Sequence, residues 1–411
     1  MKSTKSLPVL VVIAGVLLSA CSGTSLSLAA PAQAAPSNPI VQSSGPSAPA
    51  ASLPLTTNSQ SAADVAGLQS AYEAVYQAVN PSVVTIEIGS RVAASNRPGG
   101  SSVRGQVVPT AQGSGFIWDT AGHIVTNNHV VDGADKITVT FPNGSSYSAK
   151  VVGTDRNTDL AVIQVTGAPA SLLKPITVGD SAQVKVGQMV VAIGNPFGLA
   201  NTMTTGIVSA IARSIQADGG PNASSNGPTF SIPDVIQTDA AINPGNSGGV
   251  LVDMNGALIG VPSQMESPSG SNSGVGFAIP SAIVNKVAPQ LISKGVAAHS
   301  YLGISGGTVT PDVVSSLNIK EGQQGVLVAT VVAGGPAEKA GVKAAAVDAS
   351  GTPTAAGDII TAINGQSITR FEDLVSYLYD NTEPGQTVTL TVLRDGKEVQ
   401  LQVTLGTQPT S

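Results

Sequence analysis

One cysteine, Cys21, in 411 residues excludes any intramolecular disulfide, so the fold must stand on packing alone. It also leaves the body of the chain without a thiol, which tolerates an oxidising compartment without making use of it. Charge is sparse: Asp, Glu, Lys and Arg make up 11% of the residues, and 25 acids outnumber 19 bases to give a formal net charge of −6. With no basic block anywhere, nucleic acid is excluded as the main partner. Three scattered histidines, His123, His129 and His299, offer no metal cluster, and nothing in the chain suggests a nucleotide site, so no metal and no cofactor are expected. Beyond the N-terminus, no apolar run is long enough to span a membrane.

What is present points to β structure. The chain is 42% hydrophobic and carries 46 glycines and 27 prolines, while aromatics are only 3%. Short apolar runs broken by so many turn residues favour an all-β protein, and the length predicts about two to three folded units. At the start, Lys2 and Lys5 precede an apolar stretch over 7–18, the layout of an export signal rather than a membrane span. The following Leu18-Ser19-Ala20-Cys21 resembles a bacterial lipobox, which implies lipidation of Cys21 and a stable membrane anchor. The alternative is a secreted protein cut after Ala32-Gln33-Ala34. Between Ser22 and Ala63 there is no charge, and Ser, Ala and Pro dominate, the composition of a disordered tether.

Leu68, Tyr72, Val75, Tyr76 and Val79 recur at helical spacing, and Asn80-Pro81 ends that helix. Then follow β-rich runs at 83–88, 115–118, 124–126, 136–141, 147–153 and 160–165, with Pro142-Asn143-Gly144 as a hairpin signal. A second set lies at 189–194, 204–211, 235–238, 249–253, 257–261 and 274–279, with a turn at Met254-Asn255-Gly256. Two sets of six suit two barrels with a site in the cleft between them. The polar, glycine-rich stretch 216–228 reads as a mobile loop. Ser281 has the position of a helix N-cap, Gly295 of a stop, and Pro289 is expected to kink or shorten that helix.

Three segments carry chemistry: Thr126-Asn127-Asn128-His129, Thr158-Asp159-Leu160-Ala161-Val162 and Gly245-Asn246-Ser247-Gly248-Gly249. Acyl transfer needs an oxygen nucleophile, a base to take its proton and a carboxylate to hold the imidazole, and these segments offer one of each. Glycines around Ser247 permit a tight turn whose Gly245 and Ser247 N–H groups converge on a developing oxyanion. Asp155 competes with Asp159 as the acid, while His123 and His299 read as turn or capping residues.

Together with Gly194-Asn195-Pro196-Phe197-Gly198, Gln237-Thr238-Asp239-Ala240-Ala241-Ile242-Asn243-Pro244 and Gly276-Phe277-Ala278-Ile279-Pro280, these motifs resemble the HtrA/Deg family of serine endoproteases. The likeness runs from about residue 70 to the C-terminus. It implies a mainly β fold, a chymotrypsin-like double six-stranded β-barrel followed by one PDZ domain. It also implies His129 as general base, Asp159 as orienting carboxylate and Ser247 as nucleophile. Asn246 stands where digestive-type relatives carry an Asp that pairs with a freed N-terminus, so activation by zymogen cleavage is not expected. Val250 replaces a usual Pro. Ala241, six residues before Ser247, and Ile242 give an uncharged pocket floor, which favours small or medium aliphatic residues before the scissile bond.

From Tyr301 a third β-rich unit follows. Pro336 and Gly341 bracket a short helix, Asn364-Gly365 makes a hairpin, and Thr369 with Glu372 forms a capping box ahead of Phe371, Leu374, Val375 and Leu378. The stretch 351–356 looks inserted. The order resembles a bacterial PDZ domain, which implies Tyr301-Leu302-Gly303-Ile304 as the loop that binds a peptide carboxylate. The expected organisation is a leader and lipobox at 1–21, a tether at 22–65, the protease domain at 66–295, a linker at 296–300 and the PDZ domain at 301–408. The resemblance implies an ATP-independent endoprotease of unfolded or damaged proteins, exported and lipid-anchored in the cell envelope, binding C-terminal peptides and assembling as a homotrimer with Tyr72 as a contributor. A protease with one regulated substrate, or a non-catalytic peptide-binding protein, fits the same sequence.

Overall fold

The β-branched runs close on themselves twice. Strands β1 (Val83–Arg91), β2 (Val107–Ile117), β3 (His123–Asn127), β4 (Lys136–Thr140), β5 (Ser146–Asp155) and β6 (Leu160–Val165) form one closed barrel in the order β1-β2-β3-β6-β5-β4. Strands β7 (Met189–Gly194), β8 (Thr202–Gln216), β9 (Ser231–Thr238), β10 (Val250–Val252), β11 (Leu258–Met265) and β12 (Gly276–Pro280) form the other, β10-β11-β12-β9-β8-β7. The two sets of six read from the sequence are these two barrels. In β4 the pleat shows why: Ile137 and Val139 are buried while Lys136, Thr138 and Thr140 turn outward. The computed structural model describes residues 59–91, 107–195, 202–216, 231–265, 274–317, 319–347 and 353–409. All of them belong to one compact unit, Thr57–Ser411. Cys21, the stretch 216–228 beyond Gln216, and Pro196-Phe197-Gly198 lie outside the described residues.

The barrels share a core. Phe116, Val125 and Leu160 of the first meet Ile193, Val250 and Leu258 of the second, and helix α1 (Ser59–Val79) adds Val75 and Val79. Phe116 is fully buried there, and truncating such a ring to alanine costs about 3–5 kcal/mol. Helix α1 starts at Ser59, seven residues inside the stretch read as tether. The four-residue helix α2 (Asn128–Val131) interrupts the first barrel, and α3 (Ser281–Lys294) closes the second. In α3, Ser281 is the first helical residue rather than the N-cap, and its hydroxyl donates to the Gly179 carbonyl at 2.8 Å. The helix continues through Pro289 and stops at Gly295, whose φ is 76°.

The C-terminal module has strands β13 (Ser300–Tyr301), β14 (Ile304–Thr308), β15 (Val326–Val331), β16 (Ala346–Val347), β17 (Pro353–Ala355), β18 (Ile359–Ile363), β19 (Gln366–Ser367), β20 (Thr387–Arg394), β21 (Lys397–Thr404) and β22 (Gly406–Thr407). Helices α4 (Pro311–Ser316), α5 (Pro336–Lys339) and α6 (Phe371–Asn381) complete it. Its main sheet runs β14-β15-β18-β20-β21, so β14 is an edge strand. Asn364 and Gly365, both at positive φ, make the expected β18–β19 hairpin. Part of the inserted stretch is β17, which pairs with β16. The start of α6 is capped by Asp373, whose carboxylate accepts from Arg370 N (2.9 Å) and Thr369 Oγ1 (2.6 Å); Glu372 takes no part.

Helix α6 packs on β8 and β9 of the second barrel. Its Tyr379 is buried among the residues of the barrel core and stacks on His299 with ring centroids 4.8 Å apart. His299 is therefore not the turn residue expected: its Nε2 lies 2.7 Å from Asp155 Oδ2 with both side chains 4% exposed. The same carboxylate oxygen accepts from Thr158 Oγ1 at 2.5 Å, and Lys286 Nζ donates to the Tyr379 carbonyl.

Candidate active site

The loop between β5 and β6 and the helix after β3 are bound to each other before any chemistry is considered. Asn128 N and Asn127 Nδ2 both donate to the Asp159 carbonyl, at 3.0 and 2.9 Å. Asp159 is held at φ 53°, a left-handed conformation that short polar side chains tolerate best, and is 2% exposed. From there its carboxylate accepts from His129 N (3.0 Å) and faces His129 Nδ1 at 3.0 Å from Oδ1 and 2.8 Å from Oδ2. A carboxylate on Nδ1 places the ring proton there and leaves Nε2 as the acceptor. Burial pulls the His129 pKa down, but the hydrogen bond and charge of Asp159 outweigh it and raise it above the ordinary imidazole value. Asp155, the competing acid, is engaged with His299 instead.

Ser247 lies on the turn between β9 and β10. Gly245 at φ 103° and Gly248 at φ 80° flank it, and a Cβ on Gly248 would stand 2.2 Å from the Ser114 carbonyl, so glycine is required there. The Ser247 hydroxyl donates to the Ser263 carbonyl at 3.2 Å, and among the described residues it makes no hydrogen bond to His129. Neither the Gly245 nor the Ser247 amide has an acceptor among the described residues, so both donors are open to a ligand oxygen.

Ser263 on β11 is a site residue that sequence reading missed. Its hydroxyl donates to Asp159 Oδ2 at 2.6 Å while its carbonyl holds Ser247, so one buried residue touches both the acid and the hydroxyl. No local signal marks it in Val261-Pro262-Ser263-Gln264, because its role arises from β11 crossing the cleft opposite the β5–β6 loop. Asn246 is 2% exposed and donates from Nδ2 to the Ala241 carbonyl at 3.2 Å. Ala241 is half-buried, and its carbonyl also accepts from Thr204 Oγ1 at 3.0 Å. Ile242 is 2% exposed, with its side chain in the core of the second barrel against Gly276.

The structure sets Tyr301, Leu302, Gly303 and Ile304 apart from this cleft, in the C-terminal module. Leu302 and Gly303 give their carbonyls to Ala337 N and Val332 N, both at 2.9 Å, and Gly303 sits at φ 78°. Strand β14, which begins at Ile304, pairs only with β15 among the described residues, leaving an edge on which another strand can add. Tyr72 of α1 is partly buried against the inter-barrel core.

Residues 113–261 match the family model for a trypsin-like peptidase domain, and residues 300–405 match that for a PDZ domain. Among curated proteins, the chain is 45% identical over 305 residues to Protease Do-like 1, chloroplastic, of Arabidopsis thaliana, a match spanning 74% of this chain and 65% of the relative. It is 43% identical over 300 residues to a probable periplasmic serine protease do/HhoA-like of Haemophilus influenzae, spanning 73% of this chain and 59% of that protein. The chain thus covers less than two thirds of the length of these relatives. Among solved structures, the HtrA-type protease AlgW with decapeptide superposes with a TM-score of 0.64 at 33% identity, covering 83% of this chain and 99% of that one.

Proposed function

Because the chain belongs to the HtrA family of serine proteases, we propose that it is a serine endopeptidase acting through His129, Asp159 and Ser247 on unfolded or damaged proteins of the cell envelope. The observation that carries this reading is the buried Asp159 carboxylate 2.8 Å from His129 Nδ1, with Ser263 joining it to Ser247 across the cleft. His129 Nε2 takes the proton of Ser247 as Oγ attacks the scissile carbonyl, and Asp159 stabilises the imidazolium that forms. The oxyanion settles on the Gly245 and Ser247 N–H groups. His129 then protonates the leaving amine, and water repeats the cycle on the acyl-enzyme. The uncharged Ala241 favours small or medium aliphatic residues before the scissile bond.

The C-terminal module, read as a PDZ domain over 301–408, takes a substrate or regulatory C-terminus as an added strand on β14 and caps its carboxylate with amides of the 301–304 loop. The curated relative from Haemophilus influenzae is called periplasmic, and that name together with the export signal supports an envelope location. The lipobox supports a lipid anchor on Cys21, and the family resemblance supports a homotrimer with Tyr72 at its contact.

The test is digestion of an unfolded casein by the full-length chain beside its Ser247→Ala variant. Cleavage by the wild type alone, with fragments ending in aliphatic residues, is expected. If both proteins stay silent even with hydrophobic C-terminal peptides added, general degradation of unfolded proteins is refuted, which leaves a protease with one regulated substrate or a non-catalytic peptide binder.

A further inference from the structure

Ser114 stands on β2 of the first barrel, fully buried, yet every one of its polar groups is spent across the cleft or on the residues that frame it. Its amide donates to the Ser247 carbonyl at 2.9 Å. Its hydroxyl donates to the Gly245 carbonyl at 2.6 Å and accepts from Asn195 N at 2.8 Å, and its carbonyl accepts from Thr126 Oγ1 at 2.7 Å. The hydroxyl has one proton and here gives it to the turn that carries Ser247.

The peptide planes of that turn show what the bond does. The Gly245–Asn246 plane is pinned at both ends, by Ser114 Oγ on the carbonyl and by the Asn243 carbonyl on Asn246 N at 2.9 Å. The Ser247–Gly248 plane is pinned at both ends as well, by Ser114 N on the carbonyl and by the Pro262 carbonyl on Gly248 N at 3.0 Å. Between the two lies the Asn246–Ser247 plane, which bears the Ser247 N–H, and next to the first lies the plane that bears the Gly245 N–H. Gly245, at φ 103° and without a side chain, has nothing of its own to fix its backbone. The Asn246 carbonyl of the intervening plane accepts from Gly249 N at 2.9 Å as well, and of these five pins the only one made by a side chain is the Ser114 hydroxyl.

We propose that Ser114 is a positioning residue for the oxyanion-binding turn, its hydroxyl holding the Gly245–Asn246 peptide so that the Gly245 and Ser247 amides converge on one point. The proposal rests on reading Ser247 as the nucleophile. Ser114 touches no reacting atom. It acts on the transition state through the turn, and because its acceptor bond comes from Asn195 it also ties the end of β7 to that turn. Losing it leaves the Gly245 carbonyl and the Asn195 amide without their partner and frees the glycine to rotate.

The experiment compares wild type, S114A and S114T of the full-length chain. The readouts are kcat and KM on a peptide ester, inhibition by a peptide boronate that forms a tetrahedral adduct with a serine, and thermal unfolding. S114A is expected to lose about 10- to 100-fold in kcat with KM within about twofold, the size of one to two well-placed hydrogen bonds at tenfold per 1.4 kcal/mol. Boronate affinity is expected to fall in parallel while the affinity for a non-reacting peptide aldehyde reduced to its alcohol holds. S114T, which restores a hydroxyl, is expected to recover most of both. An S114A enzyme with wild-type kcat and boronate affinity overturns the proposal. So does a loss of kcat that S114T shares in full, with a matching fall in unfolding temperature. Should S114A not fold, S114C, close in size but a weak donor, replaces it with the same expected split. A wild type that neither hydrolyses the ester nor binds the boronate refutes the protease reading itself, a different outcome from a wild type that does both and an S114A that matches it.

Discussion

Replacing His299 by alanine tests how firmly the two modules are joined. The imidazole fills the space between Asp155, 2.7 Å away, and the ring of Tyr379, 4.8 Å away, and both its side chain and that of Asp155 are 4% exposed. Removing one partner of a buried hydrogen bond costs about 1–3 kcal/mol because the other group is left unsatisfied, and the loss of the ring stacked on Tyr379 adds about 0.5–1.5 kcal/mol. Asp155 keeps two bonds in the variant, from Thr158 Oγ1 at 2.5 Å and Asn157 N at 3.2 Å, so the middle of that summed range, about 3 kcal/mol, is expected. For a folded unit spanning Thr57–Ser411, at about 2.1 cal/mol/K of unfolding entropy per residue, that corresponds to a fall in unfolding temperature of roughly 4 °C. The assay is calorimetry on His299→Ala, Asp155→Asn and the double variant. The double variant should lose less than the two singles together by about 1–3 kcal/mol, since the second change acts on a group already left without its partner by the first. A single variant within about 1 kcal/mol of wild type, or strict additivity in the double, would refute the view that the pair is an energetic unit rather than a neighbourly contact.

Other consequences are open to measurement. Since Asp159 raises the His129 pKa, and only the neutral imidazole can accept the Ser247 proton, activity should fall as pH drops through a value above the ordinary imidazole one, and a kcat/KM profile with its acid limb below that value would contradict this. Gly248→Ala should cost about 3 kcal/mol or more, because φ 80° is strained for alanine and its Cβ would press on the Ser114 carbonyl; urea unfolding reads the loss. Asp234 on β9, at φ 53°, faces Ser376, Asp380, Asp373 and Arg370 of α6, and Asp380 faces Lys286 as well. Burial raises the pKa of both Asp234 and Asp380; the charge of Asp373 adds to the first, which a hydrogen bond with Asp380 opposes, and the charge of Asp234 adds to the second. A raised carboxyl favours the docked state while protonated, so its contribution is present at acid pH and lost as pH rises through the raised value. Protection factors for exchange in α6, corrected for the intrinsic rise of exchange with pH, should therefore fall toward neutral pH, and Asp234→Asn should flatten that fall.

The barrels were legible because their strands are short, β-branched and separated by turn residues, and the candidate site residues could be singled out because each sits in a local peptide whose glycines, asparagines or aspartates have a backbone reason to be there. What escaped is long-range. Ser263 has no local mark, and His299 reaches an acid 144 residues earlier in the chain. The extra length of β8 and β9 depends on bulges that carry Ala212 and Asp234 at positive φ, which no alternation of residues announces. The cap on α6 fell to Asp373 rather than Glu372 because the shorter side chain, one position further along, reaches back to Thr369 and Arg370 together.

Tyr379 belongs by sequence to the C-terminal module and by packing to the core that the barrels share with α3. The chain can be divided by motif, but its core cannot be divided in the same place. A C-terminal module taken from a relative would have to bring an aromatic ring to that position, and a protease trimmed before α6 would be left with an open socket lined by His299 and the face of α3. Swapping modules within such a family is therefore limited by one side chain as much as by the linker.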